Sequence, residues 1–135
     1  MDMKYQGELV ELKFYQKIYE MGFIISKPFG DNSKYDFIVD SHQCLYKVQV
    51  KSVGVRDTTS RANRYRVAAA HDSNCKHSYT KDQIDILVAY VIPCNAWYII
   101  PVEALASVSL SLFPHREGNK SGYYEKYLSA WQLFK

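Results

Sequence analysis

At 135 residues, 47% hydrophobic and 23% charged, the chain is long enough for one packed core, too short for two, and too apolar for a disordered tail. Seventeen basic side chains against 14 acidic ones leave a formal charge of +3, an excess whose distribution says more than its size. Three cysteines without paired spacing argue against a disulfide scaffold and for a reducing compartment. The longest apolar runs, 86–93 and 96–102, fall far short of the roughly 20 residues of a membrane helix. The opening MDMKYQGELVELK carries no apolar signal segment, so a soluble cytoplasmic protein with no membrane partner is expected.

Val10, Phe14, Ile18 and Met21 recur at helical spacing, widened by Leu9, Leu12 and Tyr19, and predict an amphipathic helix over 5–21 closed by Gly22. A short strand over 23–26 is stopped by the turn-forming run 28–33. Alternation predicts strands over 35–40 and 45–51, joined by a hairpin-like turn at 40–43. Residues 53–63 are polar and cationic and read as a mobile loop, and 64–70 read as a strand. After a polar stretch, the Thr80 and Gln83 pair has capping-box spacing and predicts a short helix over 81–84. The apolar run 86–92 reads as a buried strand, turned by 93–95 into another over 96–100. Residues 102–112 allow a helix start over 102–106 or an edge strand over 107–112. A last helix is expected over 123–133, with Tyr123, Tyr124, Tyr127 and Trp131 packing. This order predicts an α/β (mixed α+β) fold over 1–135, a central mixed β-sheet flanked by helices.

Between Lys47 and Arg66 stand six basic residues and a single acid, Asp57, a cationic block suited to a polyanion. Strand alternation puts Gln49 and Lys51 on one face, while Val48 and Val50 point into the core. Asp36 lies opposite Tyr35, Phe37 and Val39, so adjacency of the two strands would let it meet Gln49 and Lys51. Glu11 precedes Phe14 by three residues and Ile18 by seven, which puts a carboxylate on the packed side of the first helix. There it needs a partner or a metal, whereas Glu8 is turned further away. Oxygens from Glu11, Asp36 and Gln49 suit Mg2+, which takes one or two carboxylates and fills the rest with water and substrate phosphate. Lys51 is suited to orienting water, holding a phosphate or stabilising charge that grows on it. Gln49 is suited both to ligating through its amide oxygen and to hydrogen-bonding a metal-bound water.

These pieces form a recognisable set. Gly7-Glu-Leu-Val-Glu11, Gly22-Phe23, Tyr35-Asp36-Phe-Ile-Val and Gln49-Val50-Lys51 together resemble the PD-(D/E)xK nuclease superfamily, over roughly residues 5–100. Within it the chain looks most like the cyanobacterial group I intron homing endonuclease branch, where Gln replaces the acid before Lys. The resemblance implies a restriction-endonuclease-like core and a homing endonuclease making metal-dependent double-strand breaks at a long, near-palindromic DNA site. It implies Asp36 as the main metal ligand, Glu11 as supporting acid, Gln49 in the second acid's place and Lys51 as catalytic lysine. The expected metal is Mg2+, with Mn2+ as a substitute and Ca2+ binding without supporting cleavage; no organic cofactor is expected. Loss of one charge at Gln49 weakens metal affinity and gives Glu11 more weight. The competing functions are a catalytically impaired DNA-binding module on the same fold and a junction-resolving or repair nuclease.

For DNA contact, Arg56, Arg61, Arg64 and Arg66 suit phosphates or guanine edges, and Thr58, Thr59, Ser60 and Asn63 suit either role. Pairing of 64–70 with an extended part of 53–63 would make a two-stranded ribbon for the major groove. Lys76, with Asn74 and Ser78, would touch phosphates. Cutting both strands with one site per chain requires a homo-oligomer, dimer or tetramer, for which 102–113 or the last helix would supply the interface. His71, Cys75 and His77 have an H-x3-C-x-H spacing, with Cys44 or Cys94 as a fourth ligand, that matches no familiar zinc motif. Cys44 and Cys94 otherwise read as small buried hydrophobes. His115, Arg116 and Lys120 form a second, solvated basic spot.

Overall fold

The structure is a computed structural model that describes residues 2–59, 61, 63–72, 74, 76–116 and 122–135. The opening helix α1 runs Met3–Glu20, started by Asp2, whose side chain accepts from the Tyr5 amide at 2.9 Å. Its end follows from Gly22. At φ 82° that glycine lets its own N–H reach the Tyr19 carbonyl and the Phe23 N–H reach the Ile18 carbonyl, which satisfies two orphan acceptors of the last turn. Val10, Phe14 and Ile18 are the buried stripe, as the four-residue spacing predicts, whereas Met21 and the widening Leu9, Leu12 and Tyr19 are exposed.

Strands β1 (Ile24–Ser26), β2 (Phe37–Asp40), β3 (Leu45–Val53), β5 (Ile86–Val91) and β6 (Ala96–Pro101) make one mixed sheet in the order β1-β2-β3-β5-β6. Only the β3–β5 pairing is parallel. The two remaining strands, β4 (Tyr65–Ala68) and β7 (Ser109–Leu112), pair antiparallel with each other as a separate ribbon.

Strand alternation sorts the core into two halves. Phe37, Val39, Val48, Val50, Val88 and Tyr90 face α1 and the C-terminal residues Ala130 and Phe134. Leu87, Ala89, Val91, Tyr98 and Ile100 face the inner side chains of the ribbon, Tyr65, Val67, Leu110 and Leu112. With both faces covered, every residue of β5 is buried, the reason its sequence is continuously apolar.

Four expectations give way. Among the described residues, 64–70 meet 53–63 only at an isolated antiparallel bridge between Asp57 and Arg64, and β4 takes β7 as its partner. Alternation identifies a strand but not its neighbour. The expected helix over 81–84 is a turn, although Gln83 Oε1 does accept the Thr80 N–H at 3.0 Å. In place of one helix over 123–133 stand two 3-10 turns, Glu125–Tyr127 and Trp131–Leu133, because Ser129 breaks the run at φ 55° and its N–H bonds the Trp97 carbonyl. Finally, Val102, Leu110 and Leu112 of the apolar stretch 102–113 are buried within the chain's own core, so these three side chains face inward rather than toward another copy.

Candidate nuclease site

The site sits where β2 begins. β1 pairs with β2 only as far as Ile38, so Asp36 and Phe37 have no strand on their outer side and look onto the segment from Lys27 to Tyr35. Toward the inside, the ladder continues one step past β2: the Asp36 N–H donates to the Val48 carbonyl at 2.8 Å. That register sets Asp36 across from Gln49. Asp36 Oδ2 accepts from Gln49 Nε2 and from the Val50 N–H, both at 2.9 Å. Oδ1 meets no protein donor among the described residues, and Asp36 lines a cleft of about 220 Å³ with Lys27, Pro28, Gly30, Asp31, Ser33 and Tyr35.

Burial pushes the Asp36 carboxyl above its ordinary value, and the nearby Glu11 carboxylate pushes it further; the Val50 N–H, Lys27 and Lys51 oppose them. A carboxylate whose ionisation is opposed by burial and by a neighbouring acid suits a divalent cation, which relieves that repulsion. The donor set of two carboxylates and an amide is oxygen-rich and lacks the soft ligands of a zinc site. Among the described residues no group of three or more His, Cys, Asp or Glu side chains is placed to hold a metal.

Glu11 reaches the site from α1. It lies at the edge of the packed face, its side chain 31% exposed, and its Oε1 takes the Lys27 ammonium at 2.8 Å. The partner expected for a carboxylate on that side is thus a lysine just beyond β1. Glu8 is exposed but lines the same groove as Glu11, together with Leu12, Tyr15, Lys27 and Phe37. Lys51 projects two residues beyond Gln49 on the same face, and its ammonium lies 5.9 Å from the Tyr79 ring centre. Tyr79 is buried, and its phenol is pushed up to about 12, by burial first and then by the Asp36 carboxylate.

Lys27 and Tyr79 are therefore members of this neighbourhood that sequence reasoning missed. The Pro28 turn that stops β1 returns Lys27 toward α1, and Tyr79 arrives from a polar stretch with no periodic signal. Neither placement has a local signature.

The cationic segment is divided. Arg56, Thr58, Thr59 and Arg61 are exposed, with Thr59 closing a turn on Asp57 through its N–H and hydroxyl at 3.0 and 2.6 Å. Asn63 is half-buried with φ 51°. Arg66 lies on β4 and Arg64 just before it, and Ser109 and Ser111 of β7 accept from them respectively. Lys76 is exposed and its N–H is held by Asp72. Ser60, Cys75 and Lys120 lie outside the described residues, so the H-x3-C-x-H arrangement is seen only in His71 and His77, whose rings stack with centres 5.8 Å apart. Cys44 is exposed and Cys94 half-buried, so neither is the fully buried hydrophobe expected.

The comparisons with known proteins agree with this layout. A sequence profile described as PD-(D/E)XK endonuclease matches residues 1–134. No curated protein sequence gives a significant match. Among solved structures, that of a bacterial homing endonuclease, I-Ssp6803I, is similar with a TM-score of 0.81 and 25% identity, over 98% of this chain and 93% of that one. The likeness supports the branch to which Gln49-Val50-Lys51 points, and its fold is the restriction-endonuclease-like core expected from the order of elements. With the profile covering nearly the whole length, this chain belongs to the PD-(D/E)XK endonuclease family.

Proposed function

We propose that the chain is a Mg2+-dependent homing endonuclease that hydrolyses one phosphodiester in each strand of a long, near-palindromic DNA site, working as a homo-oligomer. The observation that carries this reading is the half-held carboxylate of Asp36: one oxygen fixed by Gln49 and Val50, the other open to a cleft, with a second acid beside it. Family members typically use Mg2+, and the similar solved protein is a homing endonuclease.

Asp36 and Glu11 are the residues that would hold the metal. When bound, Mg2+ lowers the pKa of coordinated water and draws charge from the phosphate oxygens. Gln49 acts here as the donor that orients Asp36, since an amide oxygen turned toward a carboxylate would repel it. Lys51 stabilises negative charge growing on the scissile phosphate, with its ammonium kept near the Tyr79 ring. The arginines of 56–66 and Lys76 hold the duplex, with Arg56, Arg61 and Lys76 on backbone phosphates.

A second reading has its own observation. Gln49 presents an amide where an acid is usual, so the fold would also serve a DNA-binding module without catalysis. Incubation with Mg2+ and a library of duplex targets separates the two. Cleavage lost in Asp36→Ala supports the endonuclease; salt-sensitive binding without cleavage supports the module. Equal cutting by Asp36→Ala and the parent overturns the site assignment. Preference for branched over linear duplexes would mark a junction-resolving or repair enzyme.

A further inference from the structure

Resting on the proposed DNA-cleaving role, we infer that the outer face of the β4–β7 ribbon reads base edges in the major groove through Arg66, with Ser109 as its positioning residue, and that Arg64 is an anchor of the ribbon rather than a reader. The ribbon alternates strictly. Tyr65, Val67, Leu110 and Leu112 are buried against the sheet, which leaves Arg66, Ala68, Ser109 and Ser111 on the outward side. A two-stranded ribbon of this kind fits the major groove. Arg66 on its first strand and Arg64 just before that strand are held differently.

Arg64 is engaged twice: its Nη1 donates to Ser111 Oγ at 2.7 Å and its Nε contacts Asp57 Oδ2 at 3.5 Å. It joins β4 to β7 and to the bridge at Asp57, and it is half-buried. Its charge is partly cancelled and part of its donor fork is used. Arg66 is exposed and bonded only through Nε, to Ser109 Oγ at 2.8 Å. Both terminal nitrogens of Arg66 lack partners among the described residues. Those two donors match the O6 and N7 acceptors of guanine. Fixing a flexible side chain at Nε removes rotamer freedom that would otherwise be lost on binding. Beside Arg66 lies a hollow of about 520 Å³ shared with Ala68, Asn74, Val108 and Ser109, so Asn74 stands close enough to contact the same stretch of groove.

Selection of bound duplexes from a randomised library, with the full chain in Ca2+, tests this, with thermal midpoints confirming that each variant folds. The parent is expected to enrich a motif containing guanine. Arg66→Ala should lose the preference at one guanine per half-site by about fivefold or more, leaving the other positions intact. Arg66→Lys should keep the charge and overall affinity yet lose the same preference, since an ammonium has no planar fork. Ser109→Ala should weaken that preference in the same position, whereas Arg64→Ala should weaken affinity evenly across positions. An unchanged motif in Arg66→Ala and Arg66→Lys overturns the inference and leaves the nuclease reading standing, as does loss of a single base preference in Arg64→Ala alone. A parent that retains no duplex from the library overturns both.

Discussion

Glu125 and Asp36 are both drawn away from water, and they are treated in opposite ways. Glu125 is 4% exposed, and both its oxygens are used: Oε1 accepts from the Tyr98 hydroxyl at 2.8 Å and Oε2 from the Phe113 N–H at 3.1 Å. It ties the C-terminal turns to β6 and to the end of β7. Asp36 has donors on one oxygen alone, a like-charged neighbour in Glu11, and a cleft in front of it. A structural carboxylate has each oxygen answered by the fold; a functional one is left with an unmet demand that a ligand can answer.

The largest expected effect breaks the Asp36 side of this contrast. Asp36→Ala should lower single-turnover cleavage in Mg2+ by on the order of a thousandfold while the thermal midpoint stays near that of the parent. Were Asp36 merely structural, stability would fall and cleavage would track it.

Next comes the Glu125 side. Glu125→Ala leaves a buried phenol and a backbone N–H without acceptors and should cost about 3 kcal/mol in urea denaturation. A loss under about 1 kcal/mol would show that solvent reaches the pair.

A sharper test converts Asp36 further from its structural counterpart. Gln49→Glu replaces the amide donor with a third carboxylate against Asp36 Oδ2. The midpoint in chelator should drop by about 3 °C, and Mg2+ should restore it by more than it raises that of the parent. Equal metal-induced shifts in the two proteins would place the ion away from residue 49.

The smallest expected effect concerns pH. Burial raises the phenols of Tyr79, Tyr98 and Tyr124, for Tyr79 to about 12. Because their pKa values are higher in the folded chain, folding retains protons that the unfolded chain gives up near pH 10. Their contribution is complete below that pH and is lost as the pH rises toward about 12. Urea midpoints should decline across this window, and Tyr98→Phe should flatten the decline even though it also removes the donor to Glu125. A decline of the same slope in Tyr98→Phe would assign it to other groups.

The period of the sequence was enough to place α1, β2, β3, β5 and β6 within a few residues, because each buries a regular stripe against the core: every fourth residue on α1, alternate residues on β2 and β3, and the whole of β5 with nearly all of β6. The same alternation already set Gln49 and Lys51 on one face, and the helix phase turned Glu11 toward the packed side. Tertiary structure alone decided the rest. It put Asp36 across from Gln49, gave β4 the distant β7 as its partner, returned Lys27 to Glu11, and brought Tyr79 under Lys51. It also broke the last predicted helix, where the Ser129 N–H bonds the Trp97 carbonyl on β6. The division has one physical reason. Periodicity reports which side of an element is buried, a local property, whereas the choice of partner is set by contacts between residues far apart in the chain, and no local pattern encodes which of several apolar surfaces will meet.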